Sequence, residues 1–257
     1  MLSALLLLTF SADPVPAMTA RSADAVQAAA VEQFGFRSLF NGKDLSGWKV
    51  PEGDNGHWRV VDGVIDYDAR SEASGDKSLT SEDSFGDFVL ELEWRVNEQP
   101  AIGPTPLVMP DGTYLKDAAG NVINVPRPNA DSGVYIRGSS RSQINIWGWP
   151  VGSGEDYGFR HAESNPAEQR AAFTPRLRAD RPLGEWNRFT IVAVGDRVTV
   201  LLNDQTVIDR AQLPDGIPAS GPITLQHHGG VNAAGELQPS SAVLQFRNVR
   251  IRELPAK

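Results

Sequence analysis

The stretch that decides the fold is Asp87 to Val96, which reads DFVLELEWRV. Its even-numbered positions, from Phe88 to Val96, are all apolar, whereas its odd-numbered positions are mostly charged. A period of two places alternate side chains on opposite faces of a β-strand. The same residues wound into a helix would put charges on every side. We therefore predict a strand with one face buried and the other turned mainly toward solvent.

Short apolar runs separated by turn residues continue this pattern. Residues 58–61 and 64–67 flank Asp62-Gly63, a pair that accepts the positive φ angles of a tight hairpin turn. No long amphipathic helix is found after Phe36, and a bulge is expected near Arg247-Asn248. The predicted fold class is all-β: a two-sheet antiparallel β-sandwich with two long loops, residues 98–129 and 148–184. Further strands are predicted over residues 133–137, 143–149, 186–194, 197–203, 206–209, 222–228 and 242–254.

Composition narrows the classes of function. The formal net charge is −8, which argues against a nucleic-acid partner because the phosphates would be repelled. The chain contains no cysteine, so disulfides, thiolate catalysis and zinc–cysteine sites are excluded. The hydrophobic fraction of 40% is ordinary for a folded globular protein.

The N-terminus has the pattern of an export signal. The apolar run MLSALLLLTF is far shorter than the roughly 20 residues that span a bilayer, and small residues follow it up to Ala17 or Ala20. We predict a signal peptide over about residues 1–20, an Ala-rich linker or short helix over 21–35, and the sandwich domain over 36–254. The protein is then exported to a bacterial periplasm or the cell exterior, with no membrane span. A buried N-terminal helix is the alternative.

Two predicted strands offer a face of polar and aromatic side chains. Alternation places Gln143, Asn145 and Trp147 on one face of their strand. Tyr135 and Arg137 share a face of the preceding strand. If the strands are neighbours, this mixture suits a sugar, because rings stack on pyranose faces and planar polar groups hydrogen-bond hydroxyls. The alternative is a sheet face whose tryptophans are covered by the long loops.

Two of the four histidines are adjacent, at positions 227 and 228. Alternation places Gln226 and His228 on one face and His227 on the other. Histidine serves as a general base or a metal ligand near neutral pH. We predict a functional role for His228 and a buried, hydrogen-bonded position for His227. The carboxylates beside the proposed patch are Asp131, Glu155 and Asp156.

Five short segments stand in the order of a known family. They are residues 36–48 (FRSLFNGKDLSGW), 131–138 (DSGVYIRG), 184–187 (GEWN), 225–229 (LQHHG) and 246–254 (FRNVRIREL). Together they resemble the 3-keto-disaccharide hydrolase domain family over about residues 36–254. The resemblance implies a concanavalin A-like jelly roll with one concave, ligand-binding sheet.

The resemblance also implies a chemistry, in which the ligand is an oxidised glycoside whose C3 hydroxyl has become a ketone. The ketone acidifies the C2 hydrogen, so a base can remove it and expel the C1 substituent by elimination. Water then adds to the enone, which gives net hydrolysis. Such an enzyme needs a base near C2, an enolate stabiliser near the C3 oxygen and an acid for the leaving group.

The family's roles are carried onto this chain residue by residue. His228 is expected to act as base or metal ligand, Arg137 with Gln143 to bind the oxyanion and hydroxyls, and Tyr135 with Trp147 to stack on the sugar. No cofactor is required, and a divalent metal ion is compatible with His228 and nearby carboxylates. The predicted catalytic set is His228, Arg137, Glu155 and Asp131, and the predicted substrate-binding set is Tyr135, Gln143, Asn145, Trp147 and Gln226.

The chain departs from the family at two acidic positions. Relatives often carry Glu two residues before the position of Gln143 and Asp shortly after it, where this chain has Arg141 and Ile146. Glu155 or Asp156 could supply the missing acid, as could Asp131, where relatives often have Asn. Two other functions therefore stay open: a noncatalytic carbohydrate-binding domain and a structural, partner-binding sandwich. The sequence leaves the oligomeric state open.

Overall fold

The computed structural model of the chain describes residues 35–98 and 100–255. The predicted signal peptide, and the predicted linker as far as residue 34, lie outside the described residues. No helix in the described ranges is long and apolar enough to cross a membrane. The helices there are α1 (Tyr157–His161) and α2 (Ala167–Ala172). The strands are β1 (Arg37–Ser38), β2 (Trp48–Lys49), β3 (Trp58–Val61), β4 (Val64–Tyr67), β5 (Leu79–Phe85), β6 (Phe88–Val96), β7 (Ile102–Pro106), β8 (Asn124–Pro128), β9 (Asp131–Ile136), β10 (Ser139–Trp147), β11 (Asn187–Val194), β12 (Arg197–Leu202), β13 (Gln205–Gln212), β14 (Gly221–Leu225) and β15 (Leu244–Glu253).

The strands form two antiparallel sheets that enclose the core. The large sheet has eight strands in the order β13-β12-β11-β6-β15-β4-β3, with β1 paired to β15. The small sheet has five strands in the order β10-β9-β14-β5-β2. Strands β7 and β8 form a separate two-stranded ribbon within the first long loop. The predicted fold class, a two-sheet antiparallel sandwich of the concanavalin A-like jelly-roll type with long loops, is confirmed.

Strand β6 lies in the middle of the large sheet and has the predicted alternation. Its even-numbered side chains, from Phe88 to Val96, are all buried in the core. Glu91 and Glu93 lie on the other face, where they pair with Arg250 and Arg247 of β15. The central position of β6 explains why apolar residues recur at every second place in it. One face of the strand packs on the small sheet, and the other meets solvent.

The local turn predictions are also confirmed. Asp62 and Gly63 have φ angles of 50° and 77° and join β3 to β4 as a tight hairpin. In β15 the pairing with β6 shifts between Arg247 and Arg250, and Asn248 has a φ of 54°, which is the predicted bulge. This bulge lets the apolar residues on both sides of it face the same core.

Among the strand ends that differ from the prediction, those of β9 and β14 affect the candidate site. Strand β9 ends at Ile136, because Arg137 has a φ of 53° and leaves the extended conformation. Strand β14 ends at Leu225 rather than His228. Beyond it the Gln226 amide still donates to the Gly133 carbonyl, at 2.9 Å, and the chain then turns away from the sheet. Both histidines therefore lie at a strand end, where regular alternation no longer constrains them.

Candidate functional site

The outer face of the small sheet, turned away from the core, carries most of the predicted polar residues. The pairing of β9 with β10 sets Trp147 opposite Asp131, Asn145 opposite Gly133 and Gln143 opposite Tyr135. Strand β14 continues the last of these rows with Thr224. The intervening residues of the three strands face inward and are buried in the hydrophobic core. The two strands are therefore neighbours, which is the condition that the sugar-binding interpretation of this face required.

An amide bridge crosses this outer face. Nε2 of Gln143 donates to Oε1 of Gln226, at 2.7 Å, and passes over Gly133. A Cβ atom at position 133 would lie 2.8 Å from both Cγ and Nε2 of Gln143, so only glycine leaves room for the bridge. The bridge (Gln143–Gln226) fixes both amide groups, because each is bonded to the other across the intervening strand.

Asp131 and His228 form a pair at the end of the same face. Nε2 of His228 lies 3.5 Å from Oδ2 of Asp131, and the two side chains are 37% and 23% exposed. Burial raises the pKa of Asp131 to about 6, against the opposing attraction of His228. The pair therefore combines an imidazole with a carboxyl group that titrates near neutral pH, which is the composition of a proton-transfer centre.

The turn that follows Gln226 holds His228 in place. The Ser132 hydroxyl donates to the Gln226 carbonyl, at 2.8 Å, and the Gly230 amide donates to the Ser241 hydroxyl, at 2.8 Å. Gly229 has a φ of 81°, and a Cβ there would lie 2.7 Å from Cα of Ser241. Glycine at position 229 thus satisfies both the backbone angle and the close approach of the neighbouring segment.

His227 points away from the outer face. Its Nδ1 forms a hydrogen bond with the hydroxyl of Tyr67, a buried residue of β4, and its amide donates to the Ser78 hydroxyl at 3.1 Å. Burial lowers the pKa of its imidazole. His227 is thus hydrogen-bonded, as predicted, but half-buried rather than buried, and of the two adjacent histidines it is His228 that joins the polar face.

Tyr135 lies beside the amide bridge, and the sequence did not predict its acidic neighbour. Burial raises the pKa of Tyr135 to about 12, and the negative charge of Asp76 adds to this effect. Asp76 comes from the loop between β4 and β5, and its charge also acts on His227. Nothing in the local sequence around Asp76 marks it, because its proximity to the site depends on how β5 pairs with β14.

Arg137 does not join the site, contrary to the prediction. Its guanidinium is 3% exposed and bonds the Gly86 carbonyl at 3.0 Å, the Gly195 carbonyl at 2.6 Å and Asp87 at 3.0 Å. The positive φ of Arg137 breaks the alternation that would have kept its side chain beside that of Tyr135. Arg137 instead ties the end of β9 to the connection between the two sheets at Gly86 and Asp87 and to the β11–β12 turn of the large sheet at Gly195.

Trp147 is not an open stacking surface. It is 5% exposed, its indole donates to the Gly152 carbonyl at 2.9 Å, and Trp149 stacks on it with ring centroids 4.0 Å apart. Tyr157 packs edge-on against both tryptophans. Trp149, which alternation places on the same face as Trp147, and Tyr157 are the partly exposed rings of this cluster, and the predicted substrate-binding set includes neither. The second long loop covers Trp147, which is the alternative considered from the sequence.

Asn145 is buried beneath the second long loop, and Glu155, which belongs to that loop, is buried as well. Neither of these two predicted site residues contacts solvent. The loop pairs with the edge of β10, since the Asn145 amide donates to the Glu155 carbonyl at 2.9 Å. Both carboxylate oxygens of Glu155 bond Arg160, at 2.7 and 3.1 Å. Burial raises the pKa of Glu155 to about 7 and that of Asp156 well above its usual range. Glu155 is thus held in an internal ion pair, and the charge of Asp131 adds to the rise of its pKa.

The structure therefore brings together five of the nine predicted site residues: Asp131, His228, Gln143, Gln226 and Tyr135. The described residues contain no group of three or more His, Asp or Glu side chains arranged to hold a metal ion. Asp131 and His228 are the only predicted metal-binding candidates that meet, and we assign them no metal.

The chain is similar to proteins named for carbohydrate hydrolysis. A curated 3-keto-disaccharide hydrolase from Bacteroides thetaiotaomicron is 26% identical over an alignment 251 positions long, and the alignment covers 87% of this chain and 80% of that protein. Two solved structures from Parabacteroides distasonis ATCC 8503, each titled as a candidate glycosyl hydrolase, share the fold. One has a TM-score of 0.52 at 21% sequence identity, and the match covers 86% of this chain and 84% of the Parabacteroides chain. The other has a TM-score of 0.53 at 19% sequence identity, and the match covers 88% of this chain and 97% of the Parabacteroides chain.

A family match covers almost all of the sandwich. The family described as the 3-keto-alpha-glucoside-1,2-lyase-like domain matches residues 35–252, in agreement with the five segments identified in the sequence. Because this match spans far more than half of the chain, the protein belongs to the 3-keto-alpha-glucoside-1,2-lyase-like domain family.

Proposed function

We propose that this protein cleaves 3-keto-glycosides by base-assisted elimination followed by hydration. The observation that carries the proposal is the Asp131–His228 pair on the outer face of the small sheet, next to the amide bridge. Such a face offers a proton-transfer pair and oriented amides on a rigid sheet, which are the elements that this reaction requires.

His228 is the proposed base. Its Nε2 faces Asp131, which leaves Nδ1 as the nitrogen that takes the C2 proton of the substrate. As the C2–H bond breaks, its electron pair forms the C1=C2 double bond and the C1–O bond to the leaving group breaks. Asp131 stabilises the imidazolium that results, because its carboxylate lies on the opposite side of the ring.

The amide bridge and Tyr135 are the proposed polar partners. Oε1 of Gln226 is occupied by Gln143, so Nε2 of Gln226 is the group that donates to the developing negative charge on the C3 oxygen. Tyr135 has a pKa of about 12 and remains a phenol at neutral pH, so its hydroxyl can give a proton to the leaving oxygen. Water then adds to the enone, its oxygen to C1 and a proton to C2.

The two names found among the relatives support a reaction in two steps. The family is described as a lyase, and the Bacteroides relative is named a hydrolase. Elimination alone is a lyase reaction, whereas elimination followed by addition of water is a net hydrolysis. One active site that performs both steps accounts for both names.

Turnover of a defined substrate tests the proposal. Purified protein is incubated with a 3-keto-glucoside, with and without a divalent metal ion, while enone absorbance and release of the aglycone are followed. We expect release of the aglycone, with the enone as an intermediate. No product under either condition would contradict the proposal.

A noncatalytic carbohydrate-binding domain is the second candidate, and the exposed Arg141 in place of an acid favours it. Arg141 packs over the Phe159 ring, 5.9 Å from its centroid, and brings no carboxylate to the outer face. Calorimetric binding of the 3-keto-glucoside without enone or aglycone release would support this candidate over the catalytic one.

A further inference from the structure

A cavity opens at the edge of the sandwich, apart from the Asp131–His228 pair. Its volume is about 230 Å³, and a cavity of about 150 Å³ is large enough for benzene. Its apolar lining includes Trp94 and Val96 of β6 and Pro128 of β8. Leu183, which also lines the cavity, is 43% exposed.

The walls of this cavity are fixed by close packing. Gly148 lies against Pro128, and a Cβ at position 148 would collide with the Pro128 carbonyl. Trp147, which also lines the cavity, is held by its bond to the Gly152 carbonyl and by its stacking on Trp149. A preformed cavity of this kind binds a rigid ligand without ordering its own side chains.

The rim of the cavity carries an excess of positive charge on a protein whose net charge is −8. Three arginines line it, against two carboxylates, Asp180 and Glu185. Asp180 already accepts from the Ser153 amide, at 3.1 Å, and lies 3.8 Å from Nε of Arg178. Within residues 35–98 and 100–255 no ion pair or hydrogen bond engages the guanidinium of Arg127. The arginines that line the rim are Arg127, Arg178 and Arg181.

One wall residue also has an unused polar atom. Trp94 is buried, and its indole Nε1 has no hydrogen-bond partner in the described part of the chain. Buried N–H groups are nearly always paired in native structures, so this one is an exception. Nε1 itself has almost no accessible surface, so Trp94 contributes its ring to the cavity wall, and the Arg127 guanidinium is the group that suits a negatively charged ligand.

We propose that this cavity binds a small aromatic carboxylate, with its ring against Trp94, Val96 and Pro128 and its carboxylate toward Arg127. The inference does not depend on the proposed function, because the cavity shares neither Asp131 nor His228. The apolar wall supplies most of the contact area, and the guanidinium selects for negative charge.

Nuclear magnetic resonance of the tryptophan indole groups tests this site with benzoate as the probe. The chain has six tryptophans, and Trp94→Phe identifies one of their indole signals. We expect benzoate to shift the signals of Trp94 and Trp147 in a saturable manner and to leave that of Trp186 unchanged. Benzyl alcohol, which has the ring without the charge, should bind about tenfold more weakly.

Two variants and a control separate the contribution of the Arg127 charge from that of the cavity space. Arg127→Ala should weaken benzoate binding about tenfold, and Leu183→Trp should abolish it by filling the cavity mouth. Arg176→Ala removes an exposed arginine that pairs with Asp209 away from the cavity, and it should bind benzoate as the unsubstituted protein does. Absence of any shift, equal binding of benzyl alcohol, or unchanged binding in Arg127→Ala would overturn the proposal. All of these measurements leave the 3-keto-glucoside assay unaffected, so the two proposals fail independently.

Discussion

Nε2 of His228 lies 3.5 Å from Oδ2 of Asp131, although the two residues are almost one hundred positions apart in the chain. Strand β9 begins at Asp131, and the turn after β14 presents His228 at the same end of the sheet. The pairing of β9 with β14 thus creates a proton-transfer pair that neither segment contains by itself.

Replacing His228 should remove most of the catalysis. If Nδ1 of His228 takes the C2 proton, His228→Gln should lower kcat/KM on a 3-keto-glucoside by about 10²–10⁴-fold. His161→Gln is the matched control, because His161 is exposed on α1 and stacks on Tyr157. Equal activity of His228→Gln and His161→Gln would exclude His228 as the base.

Asp131 should make the protein less stable as the pH rises. Its pKa is about 6 in the folded protein against an ordinary value of 3.8, so the folded state keeps a proton that the unfolded state releases in this window. Relative to Asp131→Asn, the free energy of unfolding should therefore fall by about 2–3 kcal/mol between pH 4 and pH 6. Urea unfolding at several pH values measures this difference. The control Asp62→Asn lies in an exposed turn and should show no such difference. If the free energy of unfolding of Asp131→Asn changed with pH in parallel with that of the unsubstituted protein, the burial argument would be refuted.

Arg137 should matter for stability and not for substrate affinity. Arg137→Met removes the counter-charge of Asp87, which keeps only the Gly195 amide as a donor, and takes the guanidinium from two carbonyls, so the free energy of unfolding should fall by about 3 kcal/mol or more. The KM of the folded variant should be unchanged. Arg197→Met removes an exposed pair with Asp196 and should cost less than about 1 kcal/mol. A large rise in KM with normal stability would restore Arg137 to the site.

The loss of stability in Arg160→Met should depend on pH, because Arg160 is the buried counter-charge of Glu155. Arg160→Met leaves Glu155 buried without its counter-charge, which should cost about 3–5 kcal/mol at pH 8. The folded pKa of Glu155 is already raised from 4.5 to about 7, and the loss of Arg160 raises it further. At pH 5 Glu155 is therefore protonated in the variant and the penalty should be smaller. The double variant Glu155→Met/Arg160→Met should recover most of the stability at pH 8; failure to do so would show that packing, rather than charge, causes the loss.

Gly133 should be intolerant of a side chain. In Gly133→Ala the new Cβ displaces Gln143 and breaks the amide bridge, so stability should fall by about 1–3 kcal/mol and KM should rise. Gly103→Ala is the control, because its Cβ would meet Asn129 at an ordinary 3.5 Å. Denaturant unfolding and substrate titration of the two variants check this. Normal KM in Gly133→Ala would argue that the bridge plays no part in binding.

The sequence predicted most of the fold because its signals are local. The alternation in β6 and the Asp62-Gly63 turn depend only on neighbouring residues, and the same holds for the bulge near Asn248. The pairing of β9 with β10 also followed from chain order, so the row that joins Gln143 to Tyr135 could be expected.

The candidate site was predicted only in part, because exposure is not a local property. Alternation placed Trp147 and Asn145 on the outer face correctly, but the loop after β10 folds back and covers both. Glu155 found its counter-ion in Arg160 of α1, a helix too short to be recognised in the sequence. For Arg137 a single positive φ angle redirected the side chain.

The sequence by itself determined the sandwich, the family and the strand faces, since each depends on the identity and spacing of nearby residues. Tertiary structure alone decided which polar residues meet at the surface. Asp131 pairs with His228, and Gln143 with Gln226, only because strands distant in the chain become neighbours. Burial is likewise a tertiary property. It raised the pKa of Asp131, and it placed Glu155 in an internal ion pair with Arg160.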